Sequence, residues 1–145
     1  MPKISELMTR EVEVITPDES LQRAAQLMDD LNVGALPVCD GSRLIGMVTD
    51  RDITIRATAI GLDPNETEVS AVMTEETRWC TEDQSAEEVL KLMGDAQIRR
   101  LPVLDEDQRV VGIVSLGDLA NSGSQETDEA LRRISAPEDP QHSLA

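Results

Sequence analysis

A chain of 145 residues, 39% of them hydrophobic, is long enough for one compact unit or for two small ones that share a core. Its 29 Asp and Glu stand against 13 Lys and Arg, a formal net charge of −16, and so acidic a surface repels nucleic-acid phosphates and anionic lipid, which argues against both as partners. No run of 18 apolar residues occurs, and the opening MPKISELMTREVEV lacks the apolar stretch of a secretory signal, so a cytoplasmic chain with no membrane partner is expected.

Taken in chain order, VEVIT (12–16) reads as a short strand. TPDES follows, with Thr16 and Glu19 at capping-box spacing and Pro17 at a first-turn position, so a helix is predicted to start there. Its apolar face runs Leu21, Ala24, Ala25, Met28, Leu31, the i, i+3, i+4, i+7 spacing. ALPVCD reads as a second strand, with Pro37 near its start, where a missing N–H is tolerated. The turn residues 40–42 lead to a third strand, LIGMV, and Thr49-x-x-Asp52 opens a last helix that runs through Ile53, Ala57 and Ile60 to Gly61, a candidate left-handed end.

The chain then does the same again. SELMTREVEVITPDESLQRAAQLMDDLNVGALPVCD (5–40) aligns with SAVMTEETRWCTEDQSAEEVLKLMGDAQIRRLPVLD (70–105) at a constant offset of 65, and RLIGMVTDRDI (43–53) aligns with RVVGIVSLGDL (109–119) at 66. The second copy predicts a strand at RWCT (78–81) and a Thr81 to Gln84 capping box. A helix with the face Ala86, Val89, Leu90, Met93 follows, then strands at LPVLD and VVGIV, and a short helix from Ser115-x-x-Asp118 that NSGS (121–124) stops. Each copy is strand, helix, strand, strand, helix. A unit of about 50 residues cannot easily bury a core alone, so the copies are expected to pack on each other. With no Phe, no Tyr and one Trp, the core must be aliphatic, and Trp79 is assigned to it. Two cysteines, Cys39 and Cys80, at no metal-like spacing read as buried reduced thiols. The acid-rich, lysine-poor composition also resembles that of proteins adapted to high salt, where screening relieves self-repulsion.

The LMT and VMT openings, the two LPV strands and the G-h-h-[ST]-x-x-D exits resemble the cystathionine-β-synthase (CBS) domain, present twice as a CBS pair. VTDRDI, NVGALPV and IRRLPV are especially similar to small free-standing bacterial and archaeal CBS-pair proteins, including the hypoxic-response type. The resemblance implies an α/β (α+β) fold of two β-α-β-β-α repeats related by a pseudo-two-fold. It places CBS domain 1 at 4–60 and CBS domain 2 at 68–121; the residues themselves read as a linker at 61–67 and, with no counterpart in the repeat, an acidic, polar tail at 122–145 with a short helix expected at 126–135. It implies clefts between the repeats that commonly bind AMP, ADP, ATP or S-adenosylmethionine, and association as a homodimer.

The residues themselves leave two readings of the exits open. A hydroxyl at N-cap with an acid three residues on is an ordinary helix cap. An ionised Asp is also a pure acceptor suited to ribose hydroxyls, a hydroxyl beside free N–H groups suits a phosphate, and Gly46 and Gly112 permit close backbone approach. The resemblance carries the ribose role onto Asp52 and Asp118, the hydroxyl role onto Thr49 and Ser115, and the phosphate role onto Arg99 and Arg100, with Arg51 a further candidate. It sets Ile15, Thr16, Ala35 and Pro37 of the first copy, and Cys80 and Pro102 of the second, beside a ligand. The copies are unequal, because Arg99-Arg100 aligns with Gly34-Ala35 and Arg51 aligns with Gly117.

Enzyme readings find little material. One histidine, His142, stands near the C-terminus, and neither a metal-ligand spacing nor a phosphate-binding loop appears. The expectation is a non-enzymatic, ligand-sensing regulatory module that needs no cofactor or metal and acts on an unknown regulated protein. The competing expectation is a structural dimerisation or docking module with empty clefts, with the acidity itself as a third basis for binding a basic partner.

Overall fold

The structure, a computed structural model, describes residues 2–10, 12–75, 77–120 and 132–134. Among these residues the elements run α1 (Ile4–Leu7), α2 (Leu21–Leu31), β1 (Ala35–Asp40), β2 (Arg43–Thr49), α3 (Asp50–Arg56), β3 (Cys80–Thr81), α4 (Ala86–Ala96), β4 (Arg100–Leu104), β5 (Val110–Ser115) and α5 (Leu116–Ala120). Single 3₁₀ turns at Thr58–Ile60 and Val69–Ala71 complete the order. β1 and β2 form an antiparallel pair with a register shift between Val38 and Cys39, and a second sheet has the order β3-β4-β5. The mixed α/β architecture and the duplication are both as expected.

Contacts gather the chain into two compact units that interleave the repeats. One, built on repeat one, is Glu11–Arg78 with Leu104–Val111; the other, built on repeat two, is Met1–Arg10, Trp79–Val103 and Gly112–Ala145. The LMT opening of repeat one thus belongs to the repeat-two unit, and the VMT opening of repeat two belongs to the repeat-one unit. Each opening is held by a reciprocal pair of backbone bonds. Thr74 N–H donates to Met47 O at 2.8 Å and Met47 N–H to Thr74 O at 3.0 Å, while Thr9 and Ile113 exchange bonds of 2.9 and 3.0 Å. Gly46 and Gly112 make this approach feasible. A Cβ on Gly46 would lie 2.7 Å from the Thr74 carbonyl oxygen, and one on Gly112 would lie 2.8 Å from that of Thr9 and 2.9 Å from Met8 Sδ. The close approach that these glycines permit is therefore to the opening segment of the other repeat, not to a ligand.

The repeat-one core comprises Ile15, Leu21, Ala24, Met28, Leu36, Val38, Val48, Ala57, Val69 and Val72, so the exchanged segment supplies two of its buried side chains. In the repeat-two unit Ile4, from the exchanged α1, is buried, as are Val89, Leu90, Met93, Leu101, Val114 and Leu119. Every one of these is aliphatic or Met. Trp79, assigned to the core on composition, is instead 45% exposed. On α2 the predicted face holds at Leu21, Ala24 and Met28, but Ala25 and Leu31 are exposed. The buried stripe on an 11-residue helix is narrow, and Leu31 is its last residue before Asn32 turns left-handed. The α4 face is buried as predicted.

Four boundaries differ from the sequence expectation. Neither predicted capping box opens a helix: Glu19 N–H donates to Thr16 O and Gln84 N–H to Thr81 O in turns, Gln84 Oε1 accepts from Thr81 N at 2.9 Å as the box requires, and the helices are capped four residues later, at Ser20 and Ser85. The serine hydroxyls, directly before the apolar runs, accept from Arg23 N at 3.1 Å and Glu88 N at 3.2 Å. The strand predicted at 12–16 reduces to a single parallel bridge, Ile15 with Val38, and the one at 78–81 reduces to Cys80–Thr81. Proline accounts for the first and extends to the second. Ile15 N–H donates to Pro37 O and Cys39 N–H to Ile15 O, and the next rung needs an N–H that Pro37 lacks; Pro102 interrupts the second copy at the matching place. Gly61 ends the segment after α3 with φ 79°, as expected of a left-handed C-terminal glycine. The NSGS stop, His142 and most of the 126–135 helix lie outside the described residues; 132–134 are helical.

Gly46→Ala and Gly112→Ala should each lower stability by about 1–3 kcal/mol, the cost of overpacking, although alanine suits a strand better than glycine does. Urea denaturation measures it, and a loss below about 0.5 kcal/mol would mean that the openings shift freely.

Candidate functional site

Each unit contains one junction where a strand runs into a short helix, and the two are built alike. In the repeat-one unit β2 ends at Thr49, paired with Ala35 of β1. Thr49 Oγ1 accepts from Asp52 N, and Asp52 Oδ2 accepts from Thr49 N, both at 3.0 Å. In the repeat-two unit Ser115 Oγ accepts from Asp118 N at 3.1 Å, and Asp118 Oδ2 accepts from Ser115 N at 2.9 Å. The helix-cap reading is realised in full at both places. It leaves a ligand role open, because the reciprocal bonds occupy one carboxylate oxygen and hold the other in a set direction. Asp52 Oδ1 lies 3.8 Å from Arg56 Nε, with the Asp52 side chain 14% exposed. Asp118 Oδ1 has no hydrogen-bond or ion-pair partner among the described residues.

A second backbone bond ties the segment before the LPV strand to each helix. Asp50 N–H donates to Gly34 O at 3.0 Å, and Leu116 N–H donates to Arg99 O at 2.8 Å. The backbone of Arg99 therefore lies against the first residue of α5, two positions from Asp118, and Arg100 starts β4. Both arginines are exposed, as is Arg51 on the first turn of α3. The remaining candidates fall on the strands behind. Pro37 is buried and bonded through its carbonyl to Ile15 N–H; Thr16 is the next, exposed residue; Ala35 is half-buried. In the repeat-two unit Cys80 Sγ reaches the carbonyl of the buried Pro102 at 3.8 Å. The structure thus links Ile15, Pro37, Ala35, Thr49 and Asp52 through β1 and β2. It also pairs Cys80 with Pro102, and Ser115 with Asp118.

Two residues of the repeat-one junction escaped the motif reading. Arg56 pairs with Asp52 and donates to Val72 O at 3.3 Å, so it ties α3 to the exchanged segment. Asp50 lays its carboxylate over Gly34, 3.1 Å from where a Cβ would be. Its signal was in the repeat alignment, where position 50 is an acid and position 116 is leucine.

The CBS domain family matches residues 4–57 and 69–124. The chain belongs to the CBS-domain family. This CBS protein is 45% identical over 137 residues to the CBS domain-containing protein YhcV of Bacillus subtilis, a match that spans 93% of this chain and 96% of that one. Among solved structures it resembles Hypoxic Response Protein I with two coordinated zinc ions, at 39% identity and a TM-score of 0.75 over 82% of this chain and 97% of that one. It also resembles CBSX2 in complex with AMP, at 25% identity and a TM-score of 0.76 over 85% and 97%. Among the described residues of this CBS protein no group of three or more His, Cys, Asp or Glu could hold a metal. No helix among them is long and apolar enough to cross a membrane.

Burial pushes both thiols up, Cys39 to about 11 and Cys80 to about 12, because desolvation in an aliphatic surround disfavours the thiolate. Two consequences are testable. Ellman's reagent should find both thiols slowly in the native protein and at once in denaturant. A group whose folded pKa is raised stabilises fully below its unfolded value, so stability should hold to about pH 8.5 and fall from there towards pH 11–12. Cys39→Ser with Cys80→Ser should flatten that decline.

Proposed function

We propose that this CBS protein is a non-catalytic, ligand-sensing regulatory module that binds an adenosyl ligand, AMP, ADP, ATP or S-adenosylmethionine, at the capped junction of each unit. The observation that carries this is the repetition. Two helices of seven and five residues, in two separate units, both spend a hydroxyl and an Asp on the same reciprocal cap, which uses Oδ2 and leaves Oδ1 facing only Arg56 at 3.8 Å in Asp52 and without a partner among the described residues in Asp118. In this reading Asp52 and Asp118 accept from the ribose hydroxyls. Thr49 and Ser115 line the sugar, and the backbone beside Ile15, Thr16, Ala35, Pro37, Cys80 and Pro102 faces the base. Helices this short offer little dipole, so phosphate falls to arginines, Arg99 and Arg100 in repeat two, whereas the repeat-one candidate Arg51 is flanked by Asp50 and Asp52. The AMP complex of the similar CBSX2 supports the ligand class. Ligand would act by favouring one arrangement of the chain, to the extent of its differential affinity.

Thermal shift with AMP, ADP, ATP, S-adenosylmethionine and NAD tests it. A binder at 100 times its Kd adds about 2.7 kcal/mol of stability. Asp118→Ala should remove the repeat-two share of the shift, and Asp52→Ala the repeat-one share. An undiminished shift in the double variant overturns the ribose assignment, and no shift with any compound favours a docking module.

A docking role has its own support in exposed Ile55, Ile60 and Leu62, near the uncharged run Ala57–Leu62. There a second copy of a chain carrying −16 can approach with least repulsion, which makes this face the proposed homodimer contact. Ile60→Asp should halve the mass measured by light scattering, and an unchanged mass rejects this face.

A further inference from the structure

The two junctions share a backbone and differ in charge at matched positions. In the repeat-two unit the residue whose carbonyl receives the helix's first N–H is Arg99, followed by Arg100, and the donor is the apolar Leu116. In the repeat-one unit the same bond joins Gly34, followed by Ala35, to Asp50. Where repeat two carries two guanidinium groups, repeat one carries none, and the Asp50 carboxylate covers Gly34 instead, with Oδ1 accepting from Arg51 N at 2.8 Å. Arg51 does not restore the balance, since Asp50 and Asp52 flank it, and Arg56 is committed to Asp52 and the Val72 carbonyl. Two arginines against one aspartate remain at the repeat-two junction, and two arginines against two aspartates at the other. On a chain with a net charge of −16 an anion is repelled everywhere that local cations do not oppose it, so this difference falls directly on phosphate.

We propose that the junctions are electrostatically specialised. The repeat-two junction takes a phosphorylated adenosyl ligand through Arg99 and Arg100, and the repeat-one junction takes an adenosyl ligand without phosphate, of which the sulfonium S-adenosylmethionine is the charge-matched case. This rests on the adenosyl reading and adds which junction takes which ligand. A guanidinium pair reads phosphate through charge-assisted and bidentate hydrogen bonds, which adenosine cannot receive. A sulfonium gains from Asp50, which a phosphate must avoid.

Isothermal titration of the full chain with adenosine, AMP and S-adenosylmethionine tests the assignment, with thermal melts to verify that each variant is folded. Arg99→Ala with Arg100→Ala should weaken AMP by about tenfold or more and leave adenosine and S-adenosylmethionine within about twofold. Asp50→Asn keeps the shape and the acceptor for Arg51 N–H while removing the charge; it should weaken S-adenosylmethionine and admit AMP at the repeat-one junction. If AMP and adenosine weaken alike, or AMP is unmoved by losing both arginines, the charge assignment is overturned while the adenosyl reading stands. If none of the three compounds binds the unmodified protein, both are overturned.

Discussion

The fold depends on an exchange: the first ten residues complete the unit built on repeat two, and the opening of repeat two completes the unit built on repeat one. Neither repeat buries its own sheet with its own opening. Buried backbone groups must be paired, and the reciprocal bonds of Thr74 with Met47 and of Thr9 with Ile113 do this where each strand would otherwise present an open edge. The approach is so close that a single methyl at Gly46 or Gly112 would collide with a carbonyl. The exchange also supplies buried side chains, Val69 and Val72 to one unit and Ile4 to the other.

From this follows the shape of the junctions. With β2 and β5 held along one side by the openings, their C-terminal ends run into α3 and α5, and the hydroxyl-x-x-Asp pattern closes each turn from within. The cap and a ligand role are compatible uses of one carboxylate, since each oxygen has two lone pairs and the cap consumes one bond. What the cap contributes beyond helix stability is orientation, because an acid fastened by its own neighbour keeps its second oxygen in a set direction. Prolines complete the arrangement from the other side. By withholding an N–H, Pro37 ends the parallel contact at Ile15, and Pro102 sits at the matching place beyond Cys80. The segments before them are left off the ladder.

Much of this was legible in the residues. The duplication, the helix-strand-strand-helix run of each copy, the aliphatic core, the α4 face, the buried thiols and the paired caps all follow from spacing and composition, because they depend on neighbours within about a turn or on gross residue type; α1 and the loss of the 12–16 strand do not. The misplacements share a cause. Thr16 and Thr81 satisfy a capping pattern, but Ser20 and Ser85 stand directly before the apolar runs, and packing decides which hydroxyl caps. Composition assigns Trp79 inward, whereas the buried Cys80 beside it takes the inward direction of that short strand. Asp50 was invisible as a charge at the junction until the Gly34 bond brought the two together.

By itself, then, the sequence determined the two-copy architecture and the capped hydroxyl-x-x-Asp of both junctions, since a repeated local pattern dictates a repeated local geometry. Tertiary structure alone decided that each copy borrows its partner's opening segment, that Gly46 and Gly112 serve that contact, and that the Asp50 carboxylate lies over Gly34. These depend on contacts between residues far apart in the chain, where no periodicity carries the information and only the packing of strand on segment selects the partner.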